Sequence, residues 1–514
     1  DRMEDREKVK KSIATSFKIQ AFTLKKEALE LAVDKLEGFD KEKRTQWIRR
    51  LIEGLRKENL NGTVVDLESL RNVITAVSHA RNDNIPILNV FDVTTVPRWD
   101  LSFDGSEMII HKDGVENGGS VNHITMALRQ RLLLVQSRIS RTPQLEGCKV
   151  SPIDSLLSSA ANDETVIVLG VLVRIKTDEY HIEDLTGCIP IELNDNVTFN
   201  AGVFTLGSVM MFEGQWDGVV LSVSGVALVP IEKTDDTRSV IGNLNFFGGN
   251  ERTAFRVCPK LRTLAARRSD TSIVFLSDVN VDKPQTMEAI YSLLNGFSSY
   301  PPTAFVICGD FSSTPLQCHS TSNIEKGFKM IANMIKQLSS AFVSTQFIFV
   351  PGMQDTSLPH ILPHPPLPSI LQEPFSSLKN CTFTTNPARI QLANQEIVVF
   401  RNDTVERLCK SAIHVPEKMD ELGNHISHTI LSNSHLCPLP LSLQPIIPNL
   451  DHTLRIHPIP DLIVLADRFQ TYITEHKGCV VSNPGPFGRL RYDFHVYFPS
   501  TRKIDLSTIE LSSS

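Results

Sequence analysis

Three apolar runs in this chain are each followed at once by side chains able to do chemistry. Ser272-Ile-Val-Phe-Leu-Ser277 leads into Asp278-Val-Asn280, and Thr303-Ala-Phe-Val-Ile-Cys308 leads into Gly309-Asp310-Phe-Ser-Ser313. Gln346-Phe-Ile-Phe-Val350 leads into Pro351-Gly-Met353-Gln354-Asp355. Each run reads as a buried strand, and groups at the carboxyl ends of successive parallel strands converge on one crevice. Carboxylates gathered there suit metal-assisted hydrolysis, which needs a bridging carboxylate and enough imidazole and oxygen ligands to hold two ions about 3.5–4 Å apart. Asp278 and Asp310 meet the first need. Asn280, Ser313, Met353 and Gln354 do not meet the second, since a thioether in particular is a poor ligand for hard divalent ions. Without a metal, the two aspartates are expected to cap helix amino termini or bond loop amides. His425-x-x-His428 and His360-x-x-x-His364 lack a third ligand at workable spacing and read as ordinary surface or loop histidines. No Gly-rich phosphate loop and no Gly-x-Ser-x-Gly elbow is present, which leaves nucleotide hydrolysis and acyl transfer without a basis.

The elements that must position these residues follow from periodicity. Over residues 246–514 strands alternate with helices at Thr286 to Leu294 and Asn323 to Leu338, which implies right-handed crossovers and a largely parallel sheet. Ile397 to Phe400, Asp461 to Ala466 and Asp493 to Phe498 supply later strands. The proline-studded stretches Pro359 to Pro374 and Pro438 to Pro448 are expected as long surface loops open to partners. Over residues 155–245 the period changes to two. Thr165 to Val173, two strands across a Thr186-Gly187 turn, Val209 to Glu213 and Val219 to Val223 fit a small Greek-key barrel of the oligonucleotide/oligosaccharide-binding kind. Its strands offer Tyr180, Phe212 and Trp216 for stacking and Arg174 and Lys176 as cations. Glu179, Glu183, Asp184, Glu192, Asp195 and Glu213 outnumber those cations, which favours a structural or protein-docking barrel over a single-strand binder.

Residues 85–150 read as a connector of mixed structure, with Pro86, Pro97 and a Gly-rich run at 113–119 before a helix from Asn122 to Arg141. Residues 1–80 read as a helical bundle. Ile13, Phe17, Ala21, Leu24, Ala28 and Leu31 form one apolar stripe, and Ile48, Leu51, Ile52 and Leu55 repeat it. Thr63-x-x-Asp66 looks like a capping box for a further helix through Leu67, Leu70, Ile74 and Val77. The basic runs from Lys8 to Lys11 and from Arg49 to Lys57 read as solvated helix faces.

Composition bounds the rest. The 514 residues suggest about three domains, and 52 basic against 58 acidic side chains leave a formal charge of −6 with no global pull toward nucleic acid. No apolar run reaches the length of a membrane helix, so no membrane role is expected. The charged amino end lacks a signal core, and nine cysteines without a CxxC pair fit a reducing compartment.

The strand-end motifs resemble those of the calcineurin-like metallophosphoesterases, which read Asp-x-His, Gly-Asp-x-x-Asp, Gly-Asn-His-Asp/Glu, a lone His, then Gly-His-x-His. On that pattern Asp278 matches the first carboxylate, Asp310 the bridging one, and Asp355 ends the third motif. Asn280 stands in place of the first His, Ser313 of the orienting Asp, Met353 of the ligand Asn and Gln354 of the His beside the leaving group. His435 is the candidate for the lone His. The final motif falls at Asp467 and Phe469, with neither histidine present. The resemblance implies a phosphoesterase sandwich without an intact metal site, hence no catalysis, no cofactor and no bound metal.

The order of bundle, barrel and phosphoesterase-like domain resembles the B subunits of eukaryotic replicative DNA polymerases, most densely the epsilon branch. The strings that carry this are Gly242-Asn-Leu-Asn-Phe-Phe-Gly-Gly249, Phe275-Leu-Ser-Asp-Val279, Ile361-Leu-Pro-His-Pro-Pro-Leu367, Phe383-Thr-Thr-Asn-Pro-Ala-Arg-Ile390, Leu436-Cys-Pro-Leu-Pro440 and Pro458-Ile-Pro-Asp-Leu462. The resemblance implies a nuclear, non-catalytic scaffold that grips the cysteine-rich, metal-binding carboxyl-terminal domain of the catalytic polymerase chain. It further implies that the bundle, similar to the lid of AAA+ ATPases, links the polymerase to the replicative helicase through GINS, with at most weak direct DNA contact. Two other classes stand beside this one: an active two-metal phosphoesterase, and a single-strand DNA-binding barrel using Trp216 and Lys176. The expected fold is therefore multidomain, α+β and α/β.

Overall fold

Helix-period and strand-period stretches sort into two units, Asp1–Pro86 and Ile87–Ser514, in a computed structural model. The structure describes residues 2–20, 22–36, 41–57, 64–79, 87–103, 105, 107–111, 120–159, 162–177, 179–268, 271–314, 320–355, 360–489 and 491–511.

In the first unit, helices Arg2–Ile19, Lys26–Leu36, Lys41–Lys57 and Leu67–His79 surround a core that includes Ile13, Phe17, Ala28, Leu51, Leu55 and Leu70. The apolar stripe spans two helices, separated by Thr23–Leu24, which pairs in parallel with Val64–Val65. Asp66 begins the last helix by accepting a 2.9 Å hydrogen bond from the Ser69 amide. Thr63 and Ala21 lie outside the described residues, as does the Gly-rich run at 113–119.

The second unit contains a closed barrel. Strands Asn162–Lys176, Glu179–Glu183, Cys188–Phe199, Val209–Trp216 and Leu221–Ala227 form it, closed where Val209–Trp216 pairs with both Asn162–Lys176 and Leu221–Ala227. Alternation puts Val168, Leu172, Ile182, Ile189, Phe212 and Val223 inside. Trp216 is only 2% exposed and Phe212 fully buried. Two of the three aromatics expected as a stacking platform are therefore core residues, because the period-two pattern aims them inward.

The remainder is a sandwich of two six-stranded sheets. The first runs Cys381–Phe383, Gln346–Val350, Ala304–Cys308, Ile273–Leu276, Tyr492–Phe498, Lys503–Ile509. Its first four strands are parallel and its last two antiparallel. The second runs Tyr472–His476, Cys479–Asn483, Leu462–Leu465, Gln395–Phe400, Ala388–Leu392, Leu88–Phe91, with both senses mixed. Phe275, Val306 and Ile348 from the first sheet pack on Ile390, Val399 and Val464 from the second. Helices Pro284–Phe297 and Ser320–Gln337 cover the outer face of the first sheet, and helices Thr404–Lys410 and Leu422–Asn433 cover that of the second. The expectation of one largely parallel sheet thus gives way to two mixed sheets, since hairpin returns leave no helical signal between their strands.

Two further expectations change. Residues 87–150 are more than a connector: Leu88–Phe91 is an edge strand of the second sheet, Trp99 is buried, and helix Val121–Ile139 packs on the barrel. The proline-rich stretches are substantially interior, with Leu362, His364, Cys437 and Leu439 fully buried. Proline brings no amide proton that needs a partner, so such segments can run through a core.

Candidate functional site

The carboxyl ends of the predicted strands do meet, and arginines fill the crevice they form. Asp278 follows Ile273–Leu276 and Asp310 follows Ala304–Cys308, both with side chains completely buried. Asp355 follows Gln346–Val350 and accepts 2.8 Å hydrogen bonds from the amides of Phe311 and Gly352. Close approach at this point requires glycine. A Cβ on Gly309 would overlap the Asp355 carboxylate, and one on Gly352 would overlap Asp310 Oδ1.

Arg401 leaves the carboxyl end of Gln395–Phe400 in the second sheet, is itself fully buried, and crosses to the first. Its Nη2 lies 3.3 Å from Asp278 Oδ1 and 3.2 Å from Asp310 Oδ2. Its Nη1 donates to Asp403 Oδ1 at 2.8 Å and to the Ala466 carbonyl at 3.3 Å, and its Nε donates to the Gly309 carbonyl. Arg468, after strand Leu462–Leu465, holds the same two oxygens: Nε to Asp278 Oδ1 at 3.1 Å and Nη2 to Asp310 Oδ2 at 2.6 Å. Arg489 places Nε 2.8 Å from Asp278 Oδ2, which makes no aligned hydrogen bond. Three guanidiniums therefore face two buried carboxylates, with Asp403 beside them.

Burial and neighbouring charge set the proton affinities. Burial alone would lower the Arg401 pKa, but Asp310, Asp403 and Asp278 push it well above the ordinary range. Burial likewise opposes ionisation of Asp403, yet Arg401 outweighs it and holds that carboxyl below its usual value. Asp355 is raised to about 8, first by burial and then by the charge of Asp310. Asp467 is raised to about 6, mainly by burial.

The other predicted positions are placed as follows. Asn280 donates through Nδ2 to the Asp310 carbonyl at 2.9 Å. The Ser313 hydroxyl and amide bond Asp282, not the crevice carboxylates. Met353 Sδ accepts from Arg407, and the Gln354 amide donates to Asp310 Oδ1 at 3.0 Å. Asp467 accepts from the amides of Val405 and Phe469, each at 2.9 Å, so it caps helix Thr404–Lys410. His435 belongs to a different buried group. Its Nδ1 accepts from the Cys437 amide at 3.0 Å and its Nε2 lies 3.4 Å from Asp451, which is ion-paired to Arg131 at 2.6 Å. The expectation that Asp278 and Asp310 cap helices is replaced by ion pairing, since capping could not compensate two charges removed from water. Sequence reasoning missed Arg401, Arg489 and Asp403 and left Arg468 without a role. Arg401, Arg468 and Asp403 also follow strands of the sandwich, so the strand-end logic that found the aspartates could have found them. Among the described residues, no group of three or more His, Cys, Asp or Glu side chains is arranged to hold a metal ion.

An oligonucleotide-binding barrel fused to a two-sheet sandwich whose crevice is closed by ion pairs defines the class of this protein. Comparison with known proteins then sets its family. Residues 273–474 match the family of DNA polymerase alpha/epsilon B subunits, residues 121–230 the oligonucleotide-binding domain of DNA polymerase epsilon subunit 2-like proteins, and residues 5–77 the DNA polymerases epsilon N terminal family. A probable DNA polymerase epsilon subunit 2 of Caenorhabditis elegans is 38% identical over 98% of this chain and 95% of its own length. The B subunit of Arabidopsis thaliana DNA polymerase epsilon is 30% identical over 97% and 99%, and the Homo sapiens subunit 2 is 29% identical over 98% and 99%. The chain belongs to the DNA polymerase epsilon subunit 2 family.

Proposed function

We propose that this chain is a non-catalytic accessory subunit of a nuclear DNA polymerase epsilon assembly. It scaffolds the metal-binding carboxyl-terminal domain of the catalytic chain and links it to the replicative helicase through GINS. Family membership supports a place in the polymerase. The observation that carries the non-catalytic reading is the saturation of Asp278 and Asp310 by Arg401, Arg468 and Arg489. A calcineurin-like metal pair does not fit these residues. The carboxylates are already compensated, Asn280, Gln354, Asp467 and Phe469 supply no imidazole, and His435 is engaged with Asp451. The single-strand binding alternative is weakened by the burial of Trp216 and Phe212, which leaves the barrel without two of its aromatic stacking surfaces.

The test mixes the purified chain with the carboxyl-terminal domain of a polymerase epsilon catalytic chain and, separately, with GINS. Stable association is expected in both cases. Removal of residues 1–86, which form a separate unit, is expected to abolish the second association and spare the first. Retention of GINS by the truncated chain, or failure of the full chain to bind the polymerase domain, would refute the assignment.

A further inference from the structure

We propose that the guanidiniums of Arg468 and Arg489 stand in for a divalent cation, and that the Asp278–Asp310 pair beneath them is a latent oxygen-ligand cation site that opens when both arginines are removed. Asp278 Oδ1 and Asp310 Oδ2 share Arg401 Nη2, at 3.3 and 3.2 Å, and share Arg468, at 3.1 and 2.6 Å. The two oxygens therefore face one common space, which is the requirement for bridging a single ion. Asp278 Oδ2 is buried, has no hydrogen bond, and is balanced only by Arg489 at 2.8 Å.

The three arginines are not equivalent. Arg401 is fully buried and anchored by the Gly309 and Ala466 carbonyls and by Asp403, so it belongs to the framework. Arg468 and Arg489 have side chains 25% and 41% exposed and close the crevice from its solvent side. Truncating those two removes two positive charges, which leaves the buried carboxylates short by the charge one divalent ion carries. Uncompensated buried charge is strongly destabilising, and carboxylate oxygens select hard cations such as Mg²⁺, Mn²⁺ or Ca²⁺. The native chain has thus exchanged an ion drawn from solution for counterions encoded in its own sequence. The inference rests on the reading of this crevice as non-catalytic and concerns what replaced the metal.

The experiment compares thermal unfolding of the native full-length chain, Arg468→Ala/Arg489→Ala and Arg468→Lys/Arg489→Lys, in chelator and in excess MnCl₂, with Mn²⁺ titrations by calorimetry. The native chain and the Lys variant are expected to melt at the same temperature in both buffers. The Ala variant is expected to melt about 5–10 °C lower in chelator and to recover with Mn²⁺. Adding Asp310→Asn should abolish that recovery. If the Ala variant folds only when produced with Mn²⁺, the proposal also stands. Saturable Mn²⁺ stabilisation of the native chain, no gain by a folded Ala variant, or an Ala variant insoluble in both conditions would overturn it. Association of the native chain with the polymerase domain is scored separately, so loss of the scaffold reading and loss of this one give different results.

Discussion

Asp278 and Asp310 pose one electrostatic problem, two carboxylates fully out of water, and Arg401 is the innermost part of its solution. Replacing Arg401 by Met keeps much of the side-chain volume but strips a cation from Asp278, Asp310 and Asp403 together. Breaking a buried pair on one side costs about 3–5 kcal/mol. The urea midpoint of the Arg401→Met chain should fall accordingly with the slope unchanged; a loss below about 1 kcal/mol, the range of exposed pairs, would contradict the burial argument. The aspartates were legible in the sequence because each ends a continuous apolar run. Their partners were not, because Arg401 lies 123 residues from Asp278 and Arg468 lies 190 residues from it. Periodicity says which face a residue takes within its own strand, and nothing about which distant strand end it will meet. His435 was misplaced for the same reason: a lone histidine carries no spacing that ties it to one cluster, and here Asp451 and Cys437 hold it.

Elements with strong two- or four-residue patterns were legible almost to their ends, while short edge strands were hidden. The five barrel strands follow from alternation alone, whereas Leu88–Phe91 is four residues of intermediate burial and could not be told from loop. The barrel core makes a direct prediction about Trp216. Trp216→Ala removes a large interior side chain and should cost about 3–5 kcal/mol, read as early melting of the barrel rather than as a selective loss of DNA affinity. Helix Val121–Ile139 is joined to the sandwich through Arg138, fully buried, which donates to the Leu431 carbonyl at 3.2 Å and to Ser434 Oγ at 2.7 Å. Burial lowers the Arg138 pKa to about 10, so the group stays charged at neutral pH. Arg138→Met should leave those acceptors unsatisfied at about 1–3 kcal/mol each. Faster amide exchange in helices Val121–Ile139 and Leu422–Asn433 together would show that the contact couples them; faster exchange in only one would show that it does not.

Across the whole molecule, the buried histidines set how stability responds to pH. His428, His435, His452 and His495 are pushed down to about 4 and His457 to about 3, in each case chiefly by burial. An unfolded chain titrates these groups near 6.5. Between about pH 6.5 and 4 the unfolded state therefore binds more protons than the folded one, and stability drops as pH falls. Asp355 and Asp467 act in the opposite sense, because their folded values are raised, to about 8 and about 6. Each binds its proton more tightly when folded, so each loses stability as pH rises from about 4 toward its folded value. Below pH 6 five histidines oppose two aspartates and the histidines set the slope. Above pH 6.5 Asp355 is the remaining group of this set, and stability should decline gently toward pH 8. Chemical denaturation of the second unit should therefore be most resistant near pH 6.5–7, and Asp355→Asn should flatten only the alkaline side. The first unit, Asp1–Pro86, contains a single histidine, His79. Acidification to pH 5 should therefore shift the transition of the second unit to lower denaturant while that of the first stays nearly fixed. Parallel movement of both transitions would mean that the acid sensitivity arises outside the buried imidazoles.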